Sequence, residues 1–141
     1  MTSPQGKVPA PADFLILLAE DEPAIRETLE LFLVEAGYRV VAVGDGGAAL
    51  QRLTEDPRAF AVLVTDIRMP VLDGASLAKR SRGLNPGLKI IFISGFPGDV
   101  ANLPDLCAAG ARFLAKPFPM GDLLNAVSEA LAMGPGPAGN G

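Results

Sequence analysis

Four short apolar runs in this sequence each end on side chains with chemistry to offer. FLILLA (Phe14 to Ala19) leads into Glu20 and Asp21, Ala61 to Thr65 leads into Asp66, the run from Lys89 closes on Ser94, and Arg112 to Ala115 leads into Lys116. If these runs are parallel strands of an open sheet, their carboxyl ends share one rim, which is where such folds form sites. Three acids, a hydroxyl and a lysine then converge. Clustered carboxylates repel one another unless a hard cation neutralises them, and oxygen ligands with open water positions suit Mg²⁺. A Mg²⁺ held there would also screen an incoming phosphoryl group, leaving Asp66 as an oxygen nucleophile. Lys116 could pair with the phosphoryl oxygens, and Ser94 could donate a hydrogen bond to them.

The elements that must position these residues can be read from apolar spacing. A continuous run such as FLILLA predicts a strand buried on both faces. Glu22-Pro23 then opens a helix, with proline tolerated in its first turn, and Ile25, Leu29, Phe32, Leu33 and Ala36 form one stripe that Gly37 closes as a C′ residue. Tyr38 to Val43 reads as a second strand and Asp45 to Asp56 as a second helix with Ala49, Leu50 and Leu53 inward. Gly44, Gly46 and Gly47 read as a tight turn. Strand three covers Ala61 to Thr65, helix three Ala75 to Gly83, and Asn85-Pro86-Gly87 turns the chain into strand four, Lys89 to Ser94. Strand five is Arg112 to Ala115, followed by a helix over Met120 to Met133. Val100 to Ala109 should be a helix if the alternation holds, but Pro104 inside it predicts a short or displaced one. Five βα units indicate a doubly wound α/β fold, a five-stranded parallel sheet with helices on both faces. The folded domain is expected over residues 13–133, with Pro-rich and Gly/Pro-rich disordered tails at 1–12 and 134–141.

Composition removes several alternatives. The chain has 141 residues, no histidine, no tryptophan and a single cysteine, Cys107. Without histidine there is no Ser-His-Asp triad, no His-ligated zinc or haem, and no phosphohistidine on this chain. One cysteine can close no internal disulfide, which fits a reducing cytosol. Twelve Lys plus Arg against sixteen Asp plus Glu give a net charge of −4, which argues against nucleic acid as a partner. No apolar run is long enough for a bilayer, and the start has no signal-like apolar region, so a soluble, cytoplasmic protein without membrane contact is expected.

LLAEDE (Leu17 to Glu22), TDIRMPVLDG (Thr65 to Gly74), the strand ending in Ser94-Gly95 and the Lys116-Pro117-Phe118 stretch occur in an order and spacing that resembles the receiver domain of two-component response regulators. The resemblance covers nearly the whole folded part and implies the 2-1-3-4-5 strand order. It implies Asp66 as phospho-acceptor, and Glu20 and Asp21 as the acidic pair holding Mg²⁺ together with Asp66, with the backbone carbonyl of Arg68 as a further ligand. It implies Lys116 as the site lysine ahead of a cis peptide at Pro117, and Ser94 with Phe113 as a switch pair in which hydroxyl and ring move together on phosphorylation. Asp73-Gly74 matches the tight turn after the site loop. The implied partners are a histidine kinase or histidine phosphotransfer protein as donor, and an unknown downstream protein target. The implied activity is a phospho-acceptor switch rather than an enzyme, catalysing only its own phosphorylation and dephosphorylation. LLAEDE, VGDGG and TDIRMPVLDG are also similar to small alphaproteobacterial cell-cycle receivers, some of which regulate a protease.

Taken singly, each residue has a plainer reading. Glu20 and Asp21 suit a helix entry, Asp66 a strand-end cap, Ser94 a loop, Lys116 the surface and Phe113 the core. Five such coincidences on one rim argue against that. With no effector domain following, output is expected through protein contact or phosphoryl relay; a receiver excised from a hybrid sensor kinase would carry the same residues. A metal-dependent phosphatase of the haloacid-dehalogenase-like class would need a second Asp two residues after its nucleophile, where Arg68 stands. A pseudo-receiver adaptor typically lacks one of the acids, all of which are kept here. Phe96 is expected to hinder the water that attacks the phosphorylated state, and Glu20, longer than the Asp also frequent at its position, to reach the metal through water.

Overall fold

The apolar runs become strands because each is flanked by amphipathic helices that cover both of its faces. A computed structural model describes residues 10–95 and 110–132. Its strands are β1 (Leu15–Ala19), β2 (Arg39–Val43), β3 (Val62–Asp66), β4 (Lys89–Ser94) and β5 (Arg112–Ala115). They form one parallel sheet in the order β2-β1-β3-β4-β5, with Leu17 opposite Val41 and Leu63, and Ile93 opposite Asp66 and Leu114. The doubly wound class and 2-1-3-4-5 order expected from sequence are therefore present. The weak helix expected at 100–109, with Pro104 and Cys107, lies outside the described residues, as do Phe96 and residues 1–9 and 133–141.

The helices are α1 (Pro23–Glu35), α2 (Gly46–Glu55), α3 (Gly74–Leu84) and α4 (Met120–Ala132). Strand alternation sorts their partners. Ile16, Leu18, Val62, Val64, Ile91 and Ile93 face Leu29 and Leu33 of α1 and Leu123 and Val127 of α4. Leu17, Leu63, Ile90 and Phe92 point the other way, onto Ala49 and Leu53 of α2 and Leu77 and Ala78 of α3. β3 is buried along its whole length, so the strand that carries Asp66 is the most constrained part of the sheet.

Caps fix where the helices start. Asp45 accepts from Ala48 N at 2.7 Å and Asp73 accepts from Ser76 N at 2.8 Å, so α2 begins at Gly46 and α3 at Gly74. Gly46 and Gly47 are the first helical residues of α2, inside the helix expected over Asp45 to Asp56. Gly37 has φ +103°, the left-handed conformation expected of the residue that ends α1. The N-terminal boundary also moves. Pro11–Asp13 forms a 3₁₀ turn in which Asp13 accepts from Ala10 N at 2.9 Å, and Arg39 Nε donates to Ala12 O at 2.9 Å. The Arg39 contact thus joins Ala12 to edge strand β2. Among the described residues no helix is long and apolar enough to cross a membrane.

Candidate functional site

The first acidic residue is turned inward by its neighbours. Glu20 follows β1; its N–H donates to Val43 O at 3.1 Å, and its carbonyl accepts from Arg26 Nη1 at 2.9 Å. Its Oε2 accepts from Glu22 N at 3.1 Å, which draws the carboxylate under the start of α1, where Glu20 is fully buried. Asp21, one residue on, is exposed.

Asp66 ends β3 itself, so the strand runs one residue further than the expected Ala61 to Thr65, because Asp66 pairs with Ile93 and Ile67 N extends the ladder to Ile93 O at 3.1 Å. Only 4% of its surface is exposed. Its carbonyl accepts from Thr65 Oγ1 at 2.9 Å, and a Cβ at Gly74 would overlap that same carbonyl oxygen. The glycine therefore lets α3 start directly against the strand end and fixes the Asp66 backbone.

Lys116 follows β5, where its N–H donates to Ser94 O at 2.8 Å, and the Lys116–Pro117 peptide is cis. Its ammonium lies 3.2 Å from Asp66 Oδ1 and 3.6 Å from Glu20 Oε1. The shorter contact is within hydrogen-bonding range, but neither oxygen has an aligned donor, so both approaches are ionic in character. One lysine thus faces two buried carboxylates. Burial above all, then the neighbouring Glu20 carboxyl, push the Asp66 carboxyl up from 3.8 to about 8, with Lys116 acting in the opposite direction. Burial pulls the Lys116 ammonium down, but the Asp66 and Glu20 carboxylates outweigh it and leave it above its usual range.

This arrangement is short of positive charge. Carboxylate oxygens of Glu20, Asp21 and Asp66 lie within 4.8 Å of one another, and two of them, Glu20 Oε1 and Asp66 Oδ1, are buried without a hydrogen bond. Orphaned hard oxygens at a charge-deficient rim fit a small divalent cation such as Mg²⁺.

Glu20, Asp21, Asp66, Arg68 and Lys116, all expected at the site, line one cleft. Ser94 does not line it; it is buried at the end of β4, beside Lys116 through its carbonyl. Phe113 stands apart on β5, half-buried, with its ring stacked on Phe92 at 5.2 Å between centroids and 24° between planes. Three contributors were not read from sequence: Glu22, whose N–H holds Glu20; Arg26, which holds the Glu20 carbonyl; and Thr65, which anchors Asp66. Glu22 adjoins the acidic pair and was in view only as a helix opener. Arg26 and Thr65 act through backbone contacts that leave no pattern in the sequence.

The family description "response regulator receiver domain" matches residues 16–128. The chain is 42% identical over 116 residues to the response regulator receiver protein CpdR of Brucella abortus, covering 82% of this chain and 95% of that protein. It is 36% identical over 118 residues to the sensor kinase CckA of the same organism, covering 82% of this chain but only 12% of CckA. Among solved structures, that of the response regulator protein TrrA from Thermotoga maritima in complex with Mg²⁺-BeF superposes with a TM-score of 0.74 at 27% identity, covering 83% of this chain and 98% of that one.

Proposed function

The chain belongs to the response regulator receiver domain family of two-component signalling, and on that premise we propose that Asp66 accepts a phosphoryl group from a phosphohistidine on another protein. The observation that carries this reading is the buried Asp66 carboxylate, with one oxygen lacking a hydrogen bond and an ammonium 3.2 Å away. In the transfer an Asp66 oxygen bonds to phosphorus as the donor's P–N bond breaks, and the imidazole leaves with the electron pair and takes up a proton.

Mg²⁺ bound by Glu20, Asp21, Asp66 and the carbonyl of Arg68 would supply the positive charge that keeps the acceptor ionised and offsets the phosphoryl oxygens. Lys116, held by its N–H to Ser94 O, exchanges a carboxylate contact for one to the phosphoryl group. Ser94 ends β4 and Phe113 stacks on Phe92 of that strand, which supports a response of both to a charge added at Asp66. Output is then a change in protein–protein contact with a downstream target, and the exchange takes place in the cytoplasm. The likeness to CckA favours a second reading, in which this domain serves as the receiver of a hybrid kinase; the site chemistry is the same in both.

Incubation with acetyl phosphate and Mg²⁺ should add one phosphoryl group to wild type and none to Asp66→Asn, read by intact mass under mild conditions. Equal labelling of the two proteins would refute the assignment. Lys116→Ala should keep some labelling while losing the accompanying change in the Phe113 ring resonances.

A further inference from the structure

Val71, five residues past Asp66, is a β-branched residue with φ of +71° and 81% exposure. A left-handed backbone brings Cβ against the neighbouring carbonyl, which is costly for a β-branched residue and tolerated by glycine or asparagine. Burial does not repay that cost here, because the side chain is almost wholly in solvent. The conformation is imposed by the loop around it. Leu72 N donates to Pro70 O at 2.8 Å and Gly74 N donates to Ile67 O at 2.7 Å, closing the loop at both ends. Gly46 leaves room for Leu72 O, and a Cβ on Gly47 would come within 2.9 Å of Val71 Cγ1. The loop is thus clamped across the start of α2, with Val71 held outward.

Backbone strain at a side chain that stays in solvent motivates a functional reading of the position. The loop springs from Asp66 and returns to its carbonyl at Gly74, and Arg68 on the same loop lines the cleft. These 141 residues contain no histidine, so a phosphohistidine reaching Asp66 must come from a donor domain outside them that covers this rim. We propose that Val71 is a specificity-determining contact for that donor, an apolar knob fitted to an apolar surface on the phosphohistidine-bearing protein. The proposal rests on the reading of Asp66 as phospho-acceptor.

Val71→Asn and Val71→Gly both keep a left-handed backbone and delete the apolar surface. The Asn variant should melt a few degrees above wild type as the strain is relieved. Labelling by acetyl phosphate should stay within about two-fold of wild type for both variants, whereas kcat/KM for transfer from a phosphorylated histidine phosphotransfer domain should fall about five-fold or more, through KM. An unchanged kcat/KM with the protein donor would overturn the proposal, and so would an equal loss with acetyl phosphate, which would place Val71 in the chemistry rather than in docking. Wild type that takes no label from acetyl phosphate would refute the acceptor reading itself, and this proposal with it.

Discussion

The interior of the sheet and its carboxyl rim are built from the same strands to opposite standards. Inside, Leu17, Leu63 and Phe92 on one face and Ile16, Val64 and Ile91 on the other are completely buried among apolar neighbours. One residue beyond, Glu20 and Asp66 are buried nearly as deeply, yet each keeps a carboxylate oxygen without a hydrogen bond. Such oxygens cost stability in the free protein. The interior shows what the fold can satisfy, so the rim's deficit marks the place reserved for something bound.

That contrast can be broken first from the interior. Leu63→Ala, in the middle of β3, should cost about 2–5 kcal/mol of unfolding free energy by leaving a cavity, read by urea titration. The carboxylates at the rim play no part in that loss, so Mg²⁺ should leave the difference from wild type unchanged. Next comes a pair of glycines in one helix. Gly74→Ala should destabilise by about 1–3 kcal/mol, because its Cβ would overlap the Asp66 carbonyl, and should impair Asp66 labelling as well. Gly83→Ala, near the other end of α3 with nothing within 4 Å of its Cβ position, should instead stabilise by about 0.5–1 kcal/mol. Equal signs for the two would contradict the packing of α3 against the strand end.

The rim also predicts a pH dependence. Asp66 is raised from 3.8 to about 8, so the folded metal-free protein binds a proton more tightly than the unfolded chain does. The stability this contributes is fully present below pH 3.8 and is lost as pH rises through about 8. In EDTA, the advantage of Asp66→Asn over wild type in Tm should therefore widen across that window. A constant difference would show that the Asp66 carboxyl is not held protonated by its surroundings.

How much of this was written in the sequence differs between the same two regions. The strands were legible as short apolar runs and the helices as apolar stripes, whereas Asp45 and Asp73 were not read as caps and Asp73-Gly74, read as a tight turn, caps and begins α3. Glu20, Asp21, Asp66 and Lys116 were legible as one site because strand ends of a parallel sheet must share a rim, and Arg68 only through the family resemblance. What sequence could not supply were contacts between elements distant along the chain. Gly46 and Gly47 fell inside the expected second helix, but nothing local announces that Leu72 O and Val71 pass over them. Placing Ser94 beside the cleft rather than in its lining, and stacking Phe113 on Phe92, depend on strand register to within one residue. The left-handed backbone of Val71 runs against its own propensity and could only be found in three dimensions.

The central claim is that the rim's unsatisfied carboxylates are completed by a cation and a phosphoryl-like group at Asp66. Thermal melts of wild type and Asp66→Asn, each with Mg²⁺ alone and with Mg²⁺ plus beryllofluoride, test it most directly. The account predicts a further rise in Tm when beryllofluoride joins Mg²⁺ on wild type, and none on Asp66→Asn. An equal rise in both proteins, or no rise in wild type, would contradict it.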